Sequence, residues 1–268
     1  MMIQKKIWAV SALITLLVSC DTEDKVVDLP LDDKSGKIVI EGNVTNEAGP
    51  YEIKVSKSIS VTSNTNDYPA VTNAKVVLSD NHGQTEQLVY NPGEKAYKTV
   101  NFHTSSGDVY TLNVTVDGKT YTASSTLPKP VELDNLEQEN EKIFGEDVIR
   151  TVAVFTDPVT KGEKYIFKSA TGGKRAVEYY ALTDMLNNGE TIRHSLYSNY
   201  KLKKNDTVVV ELQSVDNPVY EYFRVFHNAS AENNSEGTIP SNPPTNISNG
   251  ALGYFSAHTS SFKHIIIN

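Results

Sequence analysis

From Lys37 onward, apolar and polar residues alternate along the chain. Ile38, Ile40 and Val44 share one parity, and Tyr51, Ile53 and Val55 share the next. Ala74, Val76 and Leu78 lead into the turn residues Asp80-Asn81-His82-Gly83, and Leu88 and Tyr90 lead into Pro92-Gly93. Tyr97, Val100 and Phe102 follow. Tyr110, Leu112, Val114 and Val116 then run into Asp117-Gly118, a pair that tolerates positive φ and favours a two-residue hairpin, and Tyr121 to Thr126 returns. A period of two sends successive side chains to opposite faces, so each segment buries one face. About seven short strands between residues 37 and 127 predict an immunoglobulin-like or transthyretin-like β-sandwich.

The alternation breaks at Leu127-Pro128-Lys129-Pro130. Residues 128–147, containing "ELDNLEQENEKIFGED", read as an acidic linker. A second mainly-β domain is expected over 148–268, with strands at 148–156, 163–170, 176–182, 192–201 and 207–213. Asp216-Asn217-Pro218 predicts a helix start, because the first turn does not need the N–H that proline lacks. Val219, Tyr222, Phe223, Phe226 and Ala229 recur at helical spacing over 217–231, the stripe of a helix packed on a core. Residues 232–249 form a polar loop, and closing strands are expected at 251–257 and 262–267. Asn249-Gly250 predicts a turn into "ALGYFSA", whose mixed faces suit a strand covered on both sides. Gly42, Gly49-Pro50 and Gly83 are expected at turns or bulges.

The first 36 residues follow a different logic. Lys5 and Lys6 precede the apolar run Ile7 to Val18, shorter than the roughly 20 residues a membrane-spanning helix needs. Residues 1–19 therefore read as a signal peptide. Leu17-Val18-Ser19-Cys20 resembles a bacterial lipobox, with the Cys20 thiol as the lipidation site. Two or more acyl chains would make anchoring stable. Cys20 is the only cysteine, so acylation leaves no thiol for a disulfide, a metal or catalysis. Residues 20–36 read as an acidic flexible tether. Within it Asp21, Glu23 and Asp24 resemble the signal that sends Bacteroidota lipoproteins to the exterior face of the outer membrane.

Charge and composition narrow the partners. The net charge of −8 becomes −10 once Lys5 and Lys6 leave with the signal, which disfavours nucleic acid. Trp8, the single tryptophan, also lies in the signal, leaving 14 tyrosines as the large amphipathic aromatics. Motifs for catalysis are fragmentary. Ser198-Asn199-Tyr200-Lys201 and Ser260-Ser261-Phe262-Lys263 match S-x-x-K, and Ser79-Asp80-Asn81 matches S-D-N, but in the wrong order and without K-T-G. Thr171-Gly172-Gly173-Lys174-Arg175 lacks the leading glycine and the hydroxyl of a phosphate loop. The six histidines are scattered, without metal-ligand spacing. No catalytic, cofactor-binding or metal residue is expected, and the chain reads as a non-enzyme. Asp206-Thr207-Val208 resembles a bacterial O-glycosylation sequence, with Thr207 as acceptor.

Four stretches, taken in order and spacing, resemble a Bacteroidota lipoprotein family known as domain of unknown function 4249. They are "KIVIEGNVTNEAGPYEIKVSKS" (37–58), "VTNAKVVLSDNHGQ" (71–84), "YTLNVTVDGKTYTASSTLP" (110–128) and "NISNGALGYFSAH" (246–258). Members are commonly encoded beside TonB-dependent outer-membrane receptors. The resemblance implies a surface-exposed outer-membrane lipoprotein acting as a binding or docking accessory to such a receptor, with no family site residues to carry over. A structural or adhesive surface lipoprotein is the alternative expectation, and a hydrolase a more distant one. The ligand is not indicated.

Overall fold

Among the described residues, eight strands form the first half: β1 (Ile38–Thr45), β2 (Glu52–Lys57), β3 (Lys75–Asp80), β4 (Thr85–Gln87), β5 (Val89–Asn91), β6 (Ala96–Lys98), β7 (Val109–Val116) and β8 (Lys119–Thr126). Seven more follow: β9 (Leu133–Ile143), β10 (Glu146–Thr156), β11 (Lys164–Thr171), β12 (Val177–Thr183), β13 (Thr191–Leu196), β14 (Thr207–Val215) and β15 (Leu252–Ile266). The helix α1 (Asn217–Ser230) lies between the last two strands. The computed structural model describes residues 35–60, 63, 67–172, 177–183, 188–198, 200–230 and 242–268. Cys20, Asp21, Glu23 and Asp24, with the expected signal peptide and nearly all of the tether, lie outside the described residues, as does much of the 232–249 loop.

The protein is mainly β and sandwich-like. One eight-stranded sheet, in the order β12-β11-β14-β15-β1-β2-β6-β5, runs through both halves. A four-stranded sheet, β4-β3-β7-β8, accompanies the first half, and a three-stranded sheet, β13-β10-β9, the second. Ile40, Ile53, Leu78, Leu112, Tyr110 and Phe255 fill the core of the first half. Leu133, Phe155, Tyr165, Phe167, Leu212 and Ile267 fill that of the second. A third cluster joins Ile166 and Val215 of the long sheet to Val219, Tyr220 and Phe223 of α1.

β15 ties the halves together. Its first part pairs in parallel with β1, from Val39↔Leu252 to Thr45↔His258. The rest pairs antiparallel with β14, from Ser214↔Thr259 to Thr207↔Ile266. The two closing strands expected at 251–257 and 262–267 are thus one strand that changes partner at the polar run Thr259-Ser260-Ser261. Residues 34–268 form one compact unit rather than a sandwich and a separate domain.

The acidic stretch expected as a linker is mostly strand. β9 pairs with β10 through a hairpin whose Ile143 faces Glu146. Polar Glu137, Glu139 and Glu141 meet Arg150 and Arg193 from the neighbouring strands, so this face needs no apolar residues. Gly42 is not at a turn. It sits within β1, where an added Cβ would lie 2.8 Å from Ile53 Cδ1 and 2.9 Å from Phe255 Cδ2. Close packing of two core side chains therefore requires its bare Cα.

The helix start expected at Asp216 is present. Asp216 Oδ1 accepts the Val219 N–H at 3.1 Å, an N-cap bond for a donor the helix cannot satisfy. Its Oδ2 accepts Ser125 Oγ at 2.8 Å and the Thr126 N–H at 3.0 Å. Ser125 Oγ in turn accepts the Ala257 N–H at 2.9 Å. A single carboxylate thereby fastens β8 to the cap of α1, and through Ser125 to β15.

Candidate functional site

Alternation along β15 assigns its even-numbered side chains to the face opposite the two main cores. Tyr254 meets Tyr222 and Phe223 of α1 there, at ring-centroid distances of 5.0 and 4.9 Å. Tyr179 of β12 stacks on Phe223 at 5.1 Å. "ALGYFSA" is accordingly covered on both sides, with Phe255 and Ala257 in the first core and Tyr254 beneath the helix. Burial pushes the Tyr222 hydroxyl up to about 12, with the Glu41 charge adding to it, and raises Tyr179 and Tyr254 for the same reasons. These phenols stay neutral, and Tyr254 accepts a bond from Asn43 Nδ2 at 3.4 Å.

The helical stripe divides in its roles. Val219 and Phe223 are buried, whereas Tyr222 and Phe226 also line a groove of about 370 Å³. Val39, Tyr68, Pro243 and Leu252 complete its apolar walls, and Glu41 and Asn242 supply polar groups. This mixture of aromatic faces with a few polar atoms is common in ligand sites. Gly253, at φ +92°, shapes the floor: a Cβ there would lie 2.0 Å from the Ile40 carbonyl oxygen. The groove draws on β1, β2, α1 and β15, so its walls come from both halves of the chain.

A second groove of about 300 Å³ runs past Gly49, Tyr51, Thr99, Asn101 and His103. Its main polar groups already serve the fold. Tyr51 Oη donates to the Glu47 carbonyl at 2.8 Å, and Thr99 Oγ1 accepts the Tyr51 N–H at 2.8 Å.

Beside α1 the same sheet face carries a buried polar network. Gln213 Nε2 donates to Glu211 Oε1 at 2.7 Å and to His258 Nε2 at 2.9 Å. His258 Nδ1 then donates to Ser256 Oγ at 2.9 Å, and Ser260 Oγ donates to Glu211 Oε1 at 2.6 Å. Lys168 Nζ stands 3.7 Å from Glu211 Oε2. Desolvation pushes His258 down to about 4, helped by the Lys168 charge and opposed by Glu211. Burial works to raise the Glu211 carboxyl, but Lys168, Ser260 and Gln213 outweigh it and hold the group below its ordinary value. Ser256 is 1% exposed and His258 3%, so no substrate carbonyl has an approach to the hydroxyl in this arrangement. What the network does is satisfy buried polar groups across three strands of the long sheet.

The motif fragments are scattered. Ser198 Oγ accepts the Tyr200 N–H, and Lys201 pairs with Glu146 at 3.1 Å. Asp80 Oδ1 accepts the N–H groups of His82 and Gln84, a turn function. Gly172 N–H donates to the Thr207 carbonyl at 2.7 Å, and residues 173–176 of the glycine-containing stretch lie outside the described residues. Thr207 itself opens β14 and is half-buried. Among the described residues no three His, Cys, Asp or Glu side chains converge as metal ligands, and no helix is long and apolar enough to cross a membrane.

Fold and groove together define a mainly-β protein in which two sandwich-like halves share one long sheet, with an open aromatic groove on that sheet's helix-bearing face. The chain belongs to the family described as Domain of unknown function (DUF4249), whose model matches residues 24–264. No curated protein matches it. Among solved structures, a segment of two fibronectin type-III domains from chicken tenascin is similar at 10% identity, covering 68% of this chain and 91% of that one with a TM-score of 0.23.

Proposed function

We propose that this protein is a non-enzymatic docking module, a lipoprotein held at the outer membrane through Cys20 and facing the cell exterior. There it serves as an accessory to a TonB-dependent uptake receptor. The anchor is supported by the signal layout, by the single cysteine at its end and by Asp21, Glu23 and Asp24 beyond it. The observation that carries the binding role is the groove between Tyr68 and α1, where aromatic faces that could have been wholly buried remain open. The titratable groups that could do acid–base work at His258 are instead enclosed and mutually paired.

Purification of the protein from its native membranes tests this reading. A diacylglycerol-modified Cys20 in the mass spectrum, loss of membrane association in Cys20→Ser, and a co-purifying β-barrel receptor are the expected results. An unmodified thiol, or a lipidated protein recovered without a barrel, contradicts it.

A further inference from the structure

Among the described residues, three turns place two successive residues at positive φ. Asp117-Gly118 has φ values of 48° and 80°, Asn249-Gly250 has 58° and 76°, and Phe144-Gly145 has 51° and 85°. The first two use residues suited to that conformation, since Asp and Asn tolerate the left-handed region. The third puts a phenylalanine there, which the backbone disfavours. Its ring is also fully exposed, at 104%. Neither local geometry nor packing accounts for this residue, and unfavourable choices of this kind concentrate where function needs them.

The turn crowns a stiff arm. Ile149 still packs against the second core; beyond it no residue of 141–143 or 146–148 is fully buried, so about three residues on each strand, roughly 10 Å, extend past the cores. Cross-strand pairs brace it: Arg150 reaches Glu139 at 2.9 Å and Glu141 at 2.8 Å, and Arg193 reaches Glu139 at 2.8 Å. Arg150 also lies over the Tyr197 ring, 5.3 Å from its centroid. The tip is mostly acidic. Glu146 and Asp147 are 73% and 85% exposed, and their partners Lys201 and Lys142 are exposed as well.

We infer that Phe144 is a docking anchor that enters an apolar pocket rimmed by basic side chains on a second protein. This rests on the docking role proposed above and adds the arm as a contact separate from the groove. The charges decide against a bilayer: Glu146 and Asp147 would be driven among headgroup phosphates, and one ring is too little to hold a protein there. In a protein pocket the same ring is a central anchor, with the acids steering its approach to a positive rim.

The test places the photo-crosslinking residue p-benzoylphenylalanine at position 144 of the full chain in its native cells. One discrete protein adduct is expected, at least fivefold weaker when Glu146→Lys and Asp147→Lys are added, and missing when the probe stands at Lys119 in the other hairpin. Phe144→Asn should abolish association with the adduct's protein while raising Tm by about 2–4 °C, because asparagine suits the turn. Adducts to lipid only, no adduct, an adduct indifferent to the charge reversals, or a lower Tm in Phe144→Asn would overturn the assignment. Barrel co-purification that survives Phe144→Asn removes the role of the tip alone. A protein adduct from a chain that carries no lipid and recovers no barrel removes the receptor reading alone.

Discussion

Replacing Asp216 by alanine removes three bonds at once, and their environments set the loss. The cap bond to the Val219 N–H contributes about 1 kcal/mol, within a range of about 0.5–2. Ser125 is 2% exposed, and without the carboxylate its hydroxyl loses a buried acceptor, at about 1–3 kcal/mol. The Thr126 N–H is exposed, so water replaces its partner at almost no cost. Asp216→Ala is therefore expected to destabilise by roughly 2–4 kcal/mol. Asp216→Asn keeps one cap oxygen and should fall in between. Urea unfolding followed by tyrosine fluorescence and far-ultraviolet circular dichroism measures this. Ser125→Ala and the double variant complete a cycle in which coupling above about 0.5 kcal/mol is expected. A single-variant loss below about 0.5 kcal/mol, or strict additivity, would refute the claim that this carboxylate joins β8 to the helix.

Other expectations follow from close approaches and buried charge. Gly253→Ala must place a methyl group against the Ile40 carbonyl at positive φ, so a loss of about 4 kcal/mol or more, or failure to fold, is expected; a near-normal Tm would show that β1 and β15 can part without harm. His258 is held neutral, so on acidification the unfolded chain takes up its proton before the folded one does. Its contribution to stability is intact above pH 6.5 and is lost progressively down to about pH 4, by roughly 3 kcal/mol in all. Because carboxylates titrate in the same window, the check is the difference between wild type and His258→Gln across pH: wild type should lose ground as pH falls, and a constant difference would mean the imidazole is not shielded.

Where burial follows alternation, the fold is readable in the sequence. β7 and β8 show this, with Tyr110, Leu112 and Val114 buried on one parity and Asp117-Gly118 turning between them. The N-terminal cap of α1 is equally plain, because Asp, Asn and Pro each have a physical reason to stand there. β9 is hidden because its strand-forming face is made of glutamates, matched to Arg150 across the hairpin and to Arg193, 54 positions beyond Glu139. β15 reads as two strands because the middle of it is Thr259-Ser260-Ser261, polar residues that are buried or half-buried and hydrogen-bond to Lys129, Glu211 and Glu132. The aromatic stripe of α1 is legible as packing, but not the opening of Tyr222 and Phe226 to a groove, since that depends on Tyr68 and Pro243 arriving from elsewhere. Phe144 did carry a signal: a large aromatic before glycine in an otherwise polar run, where Asn-Gly or Asp-Gly would be ordinary.

The shared strand has a kinetic meaning as well. β15 follows every other element in the sequence, and its contacts reach back to β1 and to Asn46, 214 positions before Ser260. Such distant closures raise the entropic barrier and slow folding. Until β15 arrives, β1 lacks its parallel neighbour and β14 lacks one flank, so both cores stand open along the same seam. Neither half can lock early while the other is still being made. One late event closes both, and a chain built this way stays pliable for as long as its synthesis lasts.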